Sequence, residues 1–320
     1  MAVTITDIIS FTETHIMPKL IDNVLNSNVL LYMLMGKKSK RWPGGRMYET
    51  EVFWQKNANA AAYTVDGNLA IATGEEFTRS QTDPVQYNVG ICLEGLDMAI
   101  NKGAHQIVNL VAKKMKSAEQ SLKDLFGTHL FNTTQANAIL GLHSLCAASA
   151  GYTYAGLAFA DVPEWCSSSG TLGRANGPDS TTNALTKAIL DTQYNSVKLD
   201  NDHPDLLITT DAIWSGIMTT YLMPNMRYTD TKMADLGFEN FKYRKAKAYG
   251  DDKCAAGDLW FLNSNHLWFA IFPSMNFKFI PWTYQAATKD RMVAHIRWYG
   301  NLICDEPRKL GWMSALTSVT

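Results

Sequence analysis

Hydrophobic residues recur at helical spacing over one long segment, residues 97–125. Steps of three and four place one apolar stripe on a single helix face, with lysine, glutamine and asparagine on the opposite face. The stripe consists of Ile100, Ala104, Ile107, Val111, Met115, Ala118, Leu122 and Leu125. We predict one helix of about 43 Å, long enough to support the whole architecture, with Asp97 as its N-cap and Gly127 as its stop.

Strand-like composition flanks a long segment that has no apolar period. Residues 46–55 and 85–93 are rich in aromatic and β-branched side chains, whereas alanine, asparagine, threonine and glycine dominate the segment between them. A connection of about 30 residues is uncommon inside a compact domain and is typical of a projecting or functional loop. We therefore predict an extended hairpin that projects from the body.

The last third of the chain alternates with the period of a strand. Met275, Phe277 and Phe279 share one side of a predicted strand, and residues 292–304 alternate in the same way. The aromatic stretch 257–272 is split by the turn-like sequence Asn-Ser-Asn-His, which predicts two strands, 258–262 and 266–272. We expect their side chains to pack a core, with the outward faces of Trp260 and Trp268 available to another subunit.

The remaining periodic segments are shorter. Residues 12–35 have helical spacing and precede a basic, Pro/Gly-rich boundary, residues 36–45. Residues 186–197 predict an amphipathic helix, and residues 206–209 predict a buried strand that runs into a helix. Short strands, two long excursions and one dominant helix predict the α+β class and not a doubly wound parallel sheet.

Composition and charge narrow the functional classes. The 320 residues are 46% hydrophobic and 18% charged with a formal net charge of −1, which describes a folded protein and argues against affinity built on many neutralised phosphates. Five cysteines without a CxxC spacing favour a reducing compartment and argue against a disulfide framework or a zinc site. The sequence has neither a signal-peptide pattern nor an uninterrupted apolar run of about 18 residues, so we expect no membrane span.

Motifs for catalysis or cofactor binding are missing from the sequence. It has no dinucleotide or P-loop glycine pattern, no HExxH and no nucleophile elbow around Ser144. No two histidines stand at helical spacing, so we interpret His266 as a packed or solvated residue and the adjacent pair Asp251 and Asp252 as a solvated loop. We predict no catalytic, cofactor-binding or metal-binding residues; an enzyme whose site is assembled from scattered residues remains an alternative.

A stripe of lysines lies on the polar side of the long predicted helix. Its members are Lys102, Lys113, Lys116 and Lys123. One interpretation is an ordinary solvated face. The other is weak contact with nucleic acid, independent of base sequence and sensitive to salt.

The order of these segments resembles that of tailed-phage major capsid proteins. A helical arm, a projecting hairpin and a long helix are followed by the motif Tyr154-Ala-Gly-Leu157 and then Trp165. The segment Gly257-Asp-Leu-Trp-Phe-Leu-Asn263 and an amphipathic last strand complete the resemblance, which spans nearly the whole chain. It implies the phage capsid fold, often called the Johnson fold, in which each subunit is a structural element of an icosahedral shell.

The resemblance also implies a division of the chain. Residues 1–45 would form an N-terminal arm and residues 46–94 an extended loop that lies over a neighbouring subunit. Residues 95–131 together with 290–320 would form a peripheral domain around the long helix, called the spine helix. Residues 132–289 would form an axial domain that meets its copies at fivefold and sixfold axes.

Partners follow from the same resemblance. The subunit would assemble with itself into pentamers and hexamers in the host cytoplasm, together with a portal, and the virion would enclose double-stranded DNA held by weak nonspecific contacts. Because no long helical extension precedes the arm in this numbering, we expect a separate scaffolding protein. Lys56 stands near the start of the extended loop, so we expect no covalent cross-link through it. A bacterial encapsulin, a shell that encloses cargo proteins, is the alternative within this fold.

Overall fold

The computed structural model describes residues 12–20, 28–65, 67, 69, 71–100, 104–131, 137–146, 153–158, 160–162, 165, 184–222, 240–285, 289–314, 316 and 318–319. Its helices are α1 (Val29–Leu31), α2 (Gly95–Ile100), α3 (Ala104–Phe131), α4 (Leu142–Leu145), α5 (Lys187–Val197) and α6 (Asp211–Ile217), with π-helical turns at Thr12–Ile16, Tyr32–Lys37 and Met218–Leu222 and 3-10 turns at Pro273–Met275 and Pro307–Lys309. Its strands are β1 (Ser39–Arg41), β2 (Tyr48–Phe53), β3 (Phe77–Thr82), β4 (Val85–Glu94), β5 (Thr153–Tyr154), β6 (Leu157–Ala158), β7 (Ala184–Leu185), β8 (Leu206–Thr209), β9 (Asn240–Tyr243), β10 (Ala246–Gly250), β11 (Leu259–Leu262), β12 (Leu267–Ile271), β13 (Lys278–Tyr284), β14 (Arg291–Cys304), β15 (Gly311–Met313) and β16 (Ser318–Val319). The α+β class is confirmed.

The first sheet is built around the long strand β14. Strand β4 pairs with β14 along one edge, while β13 and β12 pair successively along the other edge, all antiparallel. Strand β1 adds to β12 in parallel. The predicted alternation is confirmed as far as Tyr299, because Met292, Ala294, Ile296 and Trp298 are buried while the residues between them are only partly buried; residues 300–304 are all buried, so the alternation predicted there is wrong.

The second sheet has the order β15-β11-β8-β10-β9. Strands β8 and β10 are parallel, and the other neighbours are antiparallel. Helix α5 begins where predicted, because the Thr186 hydroxyl accepts a hydrogen bond from the Ile189 amide at 3.3 Å. The predicted strand 206–209 and the helix after it are also present, as β8 and α6.

The long helix α3 confirms the predicted apolar stripe with changed ends. Val111, Met115, Ala118 and Leu122 are buried, whereas Ile100 is exposed at the end of α2, next to residues 101–103, which lie outside the described residues. Asp97 lies in the first turn of α2 and is not its N-cap. The stop predicted at Gly127 is wrong: helix α3 continues to Phe131, and Gly127 provides room for Lys253, whose Cγ lies 2.8 Å from the position a Cβ would take.

The projecting hairpin pairs differently from the prediction. Strand β2 pairs with β3, from Tyr48 opposite Thr82 to Phe53 opposite Phe77, whereas β4 belongs to the first sheet. The expectation that residues 46–55 and 85–93 directly flank the loop is therefore wrong. The sequence of β3, Phe-Thr-Arg-Ser-Gln-Thr, escaped prediction because it contains a single large apolar residue.

The aromatic stretch 257–272 forms two strands that lie in different sheets. Strand β11 belongs to the second sheet and β12 to the first, so the turn between them connects sheets and is not a hairpin turn. Trp260 and Leu262 face the main core, while Leu259 and Phe261 face a second core beneath α5 and α6. Both faces of these strands are consequently covered, which explains the high apolar content.

The outward faces predicted for Trp260 and Trp268 are wrong, since the two side chains are 0% and 4% exposed. Trp268 packs in a third cluster with Trp42, and the Lys40 ammonium lies 3.2 Å from the Trp268 ring centroid. Residues Lys40 and Trp42, near the end of the segment 1–45, cover this face. The sequence pattern could not show that cover, because it comes from a distant, polar strand.

Candidate assembly surfaces

The hairpin formed by β2, β3 and residues 54–76 carries most of the large exposed apolar side chains among the described residues. Val65 is 100% exposed and Ile71 is 96% exposed. Tyr63, Leu69 and Phe77 are also exposed, and the rings of Phe53 and Phe77 lie 5.2 Å apart across the ladder. Monomeric soluble proteins rarely leave such side chains grouped in water, so this surface indicates contact with another chain.

An asparagine organises the far part of the hairpin. The Asn59 side-chain amide donates to the Ala72 carbonyl at 2.7 Å and accepts from the Ala72 amide at 2.8 Å. This pair of bonds imitates a strand pairing and closes the loop without a continuous ladder. The conformation of the loop is therefore partly set before any partner covers it.

The root of the hairpin is packed against the body. Val52, Ser80 and Thr82 are buried, and the Gln81 amide donates to the Ala155 carbonyl at 2.7 Å. On the other side of the root, the buried Asn301 side chain donates to the Asp83 carbonyl at 2.7 Å. The part of the hairpin that extends away from the body therefore begins beyond this root.

The Tyr-Ala-Gly-Leu motif and Trp165 have a structural role next to that root. Residues Ala155 and Gly156 have φ angles of 49° and 80° and form the tight turn between β5 and β6. The Tyr154 ring stacks with Trp165 at 5.8 Å, and its hydroxyl accepts a hydrogen bond from the Cys304 amide at 3.0 Å. The Trp165 indole donates to the Asp305 carbonyl. The motif therefore fastens its turn to the end of β14.

The predicted lysine stripe is only partly intact as a charged face. Lys113 and Lys116 are exposed on α3, but the Lys123 ammonium pairs with the Glu119 carboxylate at 2.8 Å. Lys102 lies outside the described residues. The remaining face carries separated charges, which suits loose contact with a polyanion better than a tight binding site.

A charged cluster, formed by His266, Asp202, Asp305, Lys309 and Glu306, joins three parts of the chain. His266 lies in the turn between β11 and β12, its Nδ1 is 2.9 Å from Asp305 Oδ1, and its Nε2 is 2.8 Å from Asp202 Oδ2. Lys309 Nζ lies 2.9 Å from Asp202 Oδ2 and 2.6 Å from Glu306 Oε2. His266 is thus a packed residue, and it has carboxylate partners that the sequence did not reveal.

Electrostatics favour the charged forms in this cluster. The hydrogen bond from His266 to Asp305 raises the pKa of His266 above its ordinary value, although burial acts in the opposite direction. Burial alone would raise the pKa of Asp202, but bonds from Lys309, Asn263 and His266 hold it well below its usual range. Because each charged group has a partner of opposite charge, the cluster is better suited to holding these chain segments together than to acid–base catalysis.

Other polar groups show no arrangement for catalysis or metal binding within the described residues. No group of three or more histidine, cysteine, aspartate or glutamate side chains could hold a metal ion there. Burial raises the pKa of the Cys254 thiol far above its ordinary value, which makes that thiol inert. The interpretation of Asp251 as a solvated loop residue is wrong, because it is 7% exposed and burial raises its pKa to about 6.

Within the described part of the chain, none of the helices combines the length and the apolar character needed to cross a membrane.

The sequence matches no protein-family model and no curated protein. Solved structures are nevertheless similar over nearly the whole chain. The capsid asymmetric unit of cyanophage A-1(L) has 14% identity and a TM-score of 0.67, covering 93% of this chain and 94% of that one. A structure of Mycobacterium phage Patience has 11% identity and a TM-score of 0.52, covering 99% and 88%.

An encapsulin is similar as well. The holo-SrpI encapsulin complex from Synechococcus elongatus PCC 7942 has 10% identity and a TM-score of 0.56, covering 91% of this chain and 89% of that one. At such low identities, the structural similarity shows a common backbone fold and does not show what a shell would enclose. The chain therefore has the fold shared by phage capsid subunits and encapsulins, which confirms the phage-capsid fold predicted from the sequence.

Proposed function

We propose that this protein is the major capsid protein of a tailed double-stranded DNA phage, a subunit that assembles with its own copies into an icosahedral head. The observation that carries the proposal is the exposed apolar surface of the projecting hairpin, on a chain with the capsid fold. Of the described residues between 55 and 76, none is among the members of the three hydrophobic clusters. Their apolar side chains are instead available to be buried on a neighbour.

The physical chemistry of a shell suits this arrangement. Complete burial of a valine or isoleucine side chain contributes about 1.5–3 kcal/mol, so Val65 and Ile71 together would contribute about 3–6 kcal/mol to each contact. Such a contact is weak alone, but each subunit in a closed shell makes several at once, and their effects combine through multivalency. The capsid fold supports copies of the chain as the partner of this surface.

We further propose the division of labour expected from the resemblance. Residues 1–45 are the arm, residues 46–94 the extended loop, residues 95–131 with 290–320 the peripheral domain, and residues 132–289 the axial domain. Strand pairing supports this division in a modified form. Strands β4, β12 and β13 share a sheet with β14, although the division assigns them to other parts of the chain, and β15 joins the second sheet. A scaffolding protein, a portal, enclosed DNA and assembly in the host cytoplasm complete the proposal.

The decisive experiment changes Val65 and Ile71 to serine and compares assembly with that of the wild type. We expect the double variant to remain folded, because both side chains are almost fully exposed in the subunit. Shells should be lost or confined to much higher protein concentration. Size-exclusion chromatography and negative-stain microscopy measure the outcome.

The matched control is Thr73→Ser, a small change at an exposed position of the same loop. It should assemble like the wild type. A double variant that forms normal shells at wild-type concentration would remove the hairpin from the interface. A wild-type chain that stays a monomer or dimer, even with scaffolding protein supplied, would instead contradict the shell function itself and favour the enzyme alternative.

An encapsulin-type compartment is the second candidate, favoured by the similarity to the SrpI encapsulin. The two candidates differ in what the shell encloses. Particles isolated from their natural source should contain nuclease-protected double-stranded DNA if this is a phage head. Particles that contain a stoichiometric cargo protein and no protected DNA would establish the encapsulin alternative.

A further inference from the structure

The hairpin has two connections to the body, and they differ in stiffness. One passes through Gly44 and Gly45, whose φ angles are 120° and 81° and which have open space where a side chain would stand. Glycines in such a setting permit rotation at low cost. The other connection is Asp83–Pro84, between β3 and β4, where the proline ring fixes its own φ. The first connection is followed by a ring contact between Tyr48 and Trp42 at 5.3 Å, whereas the second is fixed by hydrogen bonds to the body.

Asn301 holds this second connection. Its side chain, 2% exposed, donates through Nδ2 to the Asp83 carbonyl at 2.7 Å. Its Oδ1 accepts from the Leu140 amide at 2.9 Å and from the Leu302 amide at 2.8 Å. One buried side chain on β14 thus fastens the hairpin root and the loop before α4 to the central strand.

The turn of the Tyr-Ala-Gly-Leu motif provides a second attachment. The Ala155 carbonyl accepts from the Gln81 amide, and Tyr154 ties the turn to Cys304. Both attachments of the root therefore lead to the last residues of β14. We name these elements, Asn301 and the turn Tyr154–Leu157, the hairpin socket.

Open space lies directly beside the socket. A cleft of about 660 Å³ is lined by the root of the hairpin, by Asn137, Ala138 and Leu140, by Ala155 and Gly156, and by Asn301. The root therefore borders open space on this side. A root that is held by hydrogen bonds and borders open space can act as a hinge with one preferred position.

We propose that the hairpin socket sets the angle at which the hairpin leaves the subunit, with Asp83–Pro84 as the hinge and Asn301 as the positioning residue. The consequence for assembly rests on the proposed function. The angle fixes where the exposed side chains Val65 and Ile71 meet the next copy, and through that the curvature of the shell. Rupture of the two attachments lets the hairpin swing while the core remains intact.

The variant Asn301→Asp tests the hydrogen bond from Asn301 to the Asp83 carbonyl separately from the packing of the side chain. An ionised aspartate can still accept from the Leu140 and Leu302 amides, but it cannot donate to the Asp83 carbonyl. At acid pH the protonated carboxyl regains a donor, so the clamp can re-form in the same variant. Gln81→Pro removes the other attachment independently, because the Gln81 amide bonds to Ala155 outside the β2–β3 ladder.

The readout is a distance in the unassembled subunit. Nitroxide labels at Glu51→Cys on the hairpin and Lys116→Cys on α3 occupy exposed positions. The background carries Cys92→Ser and Cys166→Ser, and the three other cysteines are buried. Double electron–electron resonance then gives the distribution of hairpin positions for each variant at neutral and acid pH.

Thr209→Val is the matched control. It removes one buried side-chain bond, from the Thr209 hydroxyl to the Asp258 carbonyl at 2.7 Å, in the second sheet and away from the socket. It should lower stability as the loss of one buried hydrogen bond does, and leave the distance distribution unchanged.

We expect a narrow distribution for the wild type and a shift or broadening of several ångströms for Asn301→Asp at neutral pH, reversed at acid pH. Gln81→Pro should broaden the distribution at both pH values. Wild-type distances in both variants overturn the proposal, and if Asn301→Asp fails to fold, the result for Gln81→Pro decides. Shell diameter is scored separately: a wild type that forms no shells contradicts the proposed function and leaves the distance result standing.

Discussion

At the scale of single residues, the charged cluster around His266 shows how a polar side chain can be structural. The ring nitrogens of His266 lie within hydrogen-bond distance of Asp305 and Asp202, and both carboxylates favour the charged ring. The Lys309 ammonium, 3.0 Å from Nε2, opposes that charge. Lys309 shares Asp202 with it and is held by Glu306. The cluster ties the turn between the two sheets to the segment that follows β14.

Removal of this histidine should change how stability depends on pH. Because the folded pKa of His266 is raised, its contribution is fully present below the unfolded value of about 6.5 and is lost as pH rises through the folded pKa. The difference in free energy of unfolding between the wild type and His266→Gln should therefore be largest near pH 6, where the ring is charged in the folded protein, and should shrink in alkaline buffer. Urea unfolding of the unassembled subunit at several pH values measures it.

His203 is a matched control for that series. Its pKa is lowered, first by burial and then by Lys245 and Lys198, so charging it weakens the folded state as pH falls. The difference between the wild type and His203→Gln should consequently change with pH in the opposite sense. A pH-independent effect of His266→Gln would show that the ring acts by packing alone.

At the scale of elements, periodic segments were predictable and long-range partners were not. The stripe on α3 and the alternation of β14 as far as Tyr299 follow from local spacing, and both are confirmed. Strand β3 lacks alternation, and its pairing with β2 depends on a loop closed by Asn59. Asn301 could have been noticed as a polar residue in an otherwise apolar strand end, but its partners, Asp83 and Leu140, are distant in sequence.

The polar face of α3 supports a prediction about genome contact. Lys113 and Lys116 are exposed, whereas Lys123 is already paired with Glu119. If this face meets DNA, Lys113→Gln with Lys116→Gln should lower the slope of log affinity against log salt by about two. Binding of labelled duplex DNA to the unassembled subunit, measured by fluorescence anisotropy across salt concentrations, gives that slope.

The control is Lys123→Gln, which should alter the slope much less because its charge is already neutralised by a neighbour. Circular dichroism should show unchanged folding in all three proteins, since exposed positions tolerate this change. An identical slope in the double variant and the wild type would identify the stripe as a solvated face.

At the scale of the whole molecule, one subunit has an apolar surface that its own chain leaves exposed. Both sheets contribute buried residues to packed apolar cores, yet the hairpin leaves Tyr63, Val65, Leu69 and Ile71 in water. On the proposed function, stability has two sources: the packed body of each subunit, and the hairpin contacts that would form on assembly. The second source makes the apparent stability depend on concentration and assembly state.

Protease sensitivity should report this difference directly. Lys56 is exposed at the start of the loop, beyond the β2–β3 ladder, and offers trypsin an accessible site in the unassembled subunit. In a shell, burial of the loop on a neighbour should slow cleavage after Lys56 strongly, because proteolysis requires local opening of the bound segment. Mass spectrometry of timed digests of subunits and shells gives the two rates, and Lys56→Gln confirms the site. Equal rates in subunits and shells would mean that the loop stays exposed after assembly, and the apolar side chains would then require a partner other than a second copy.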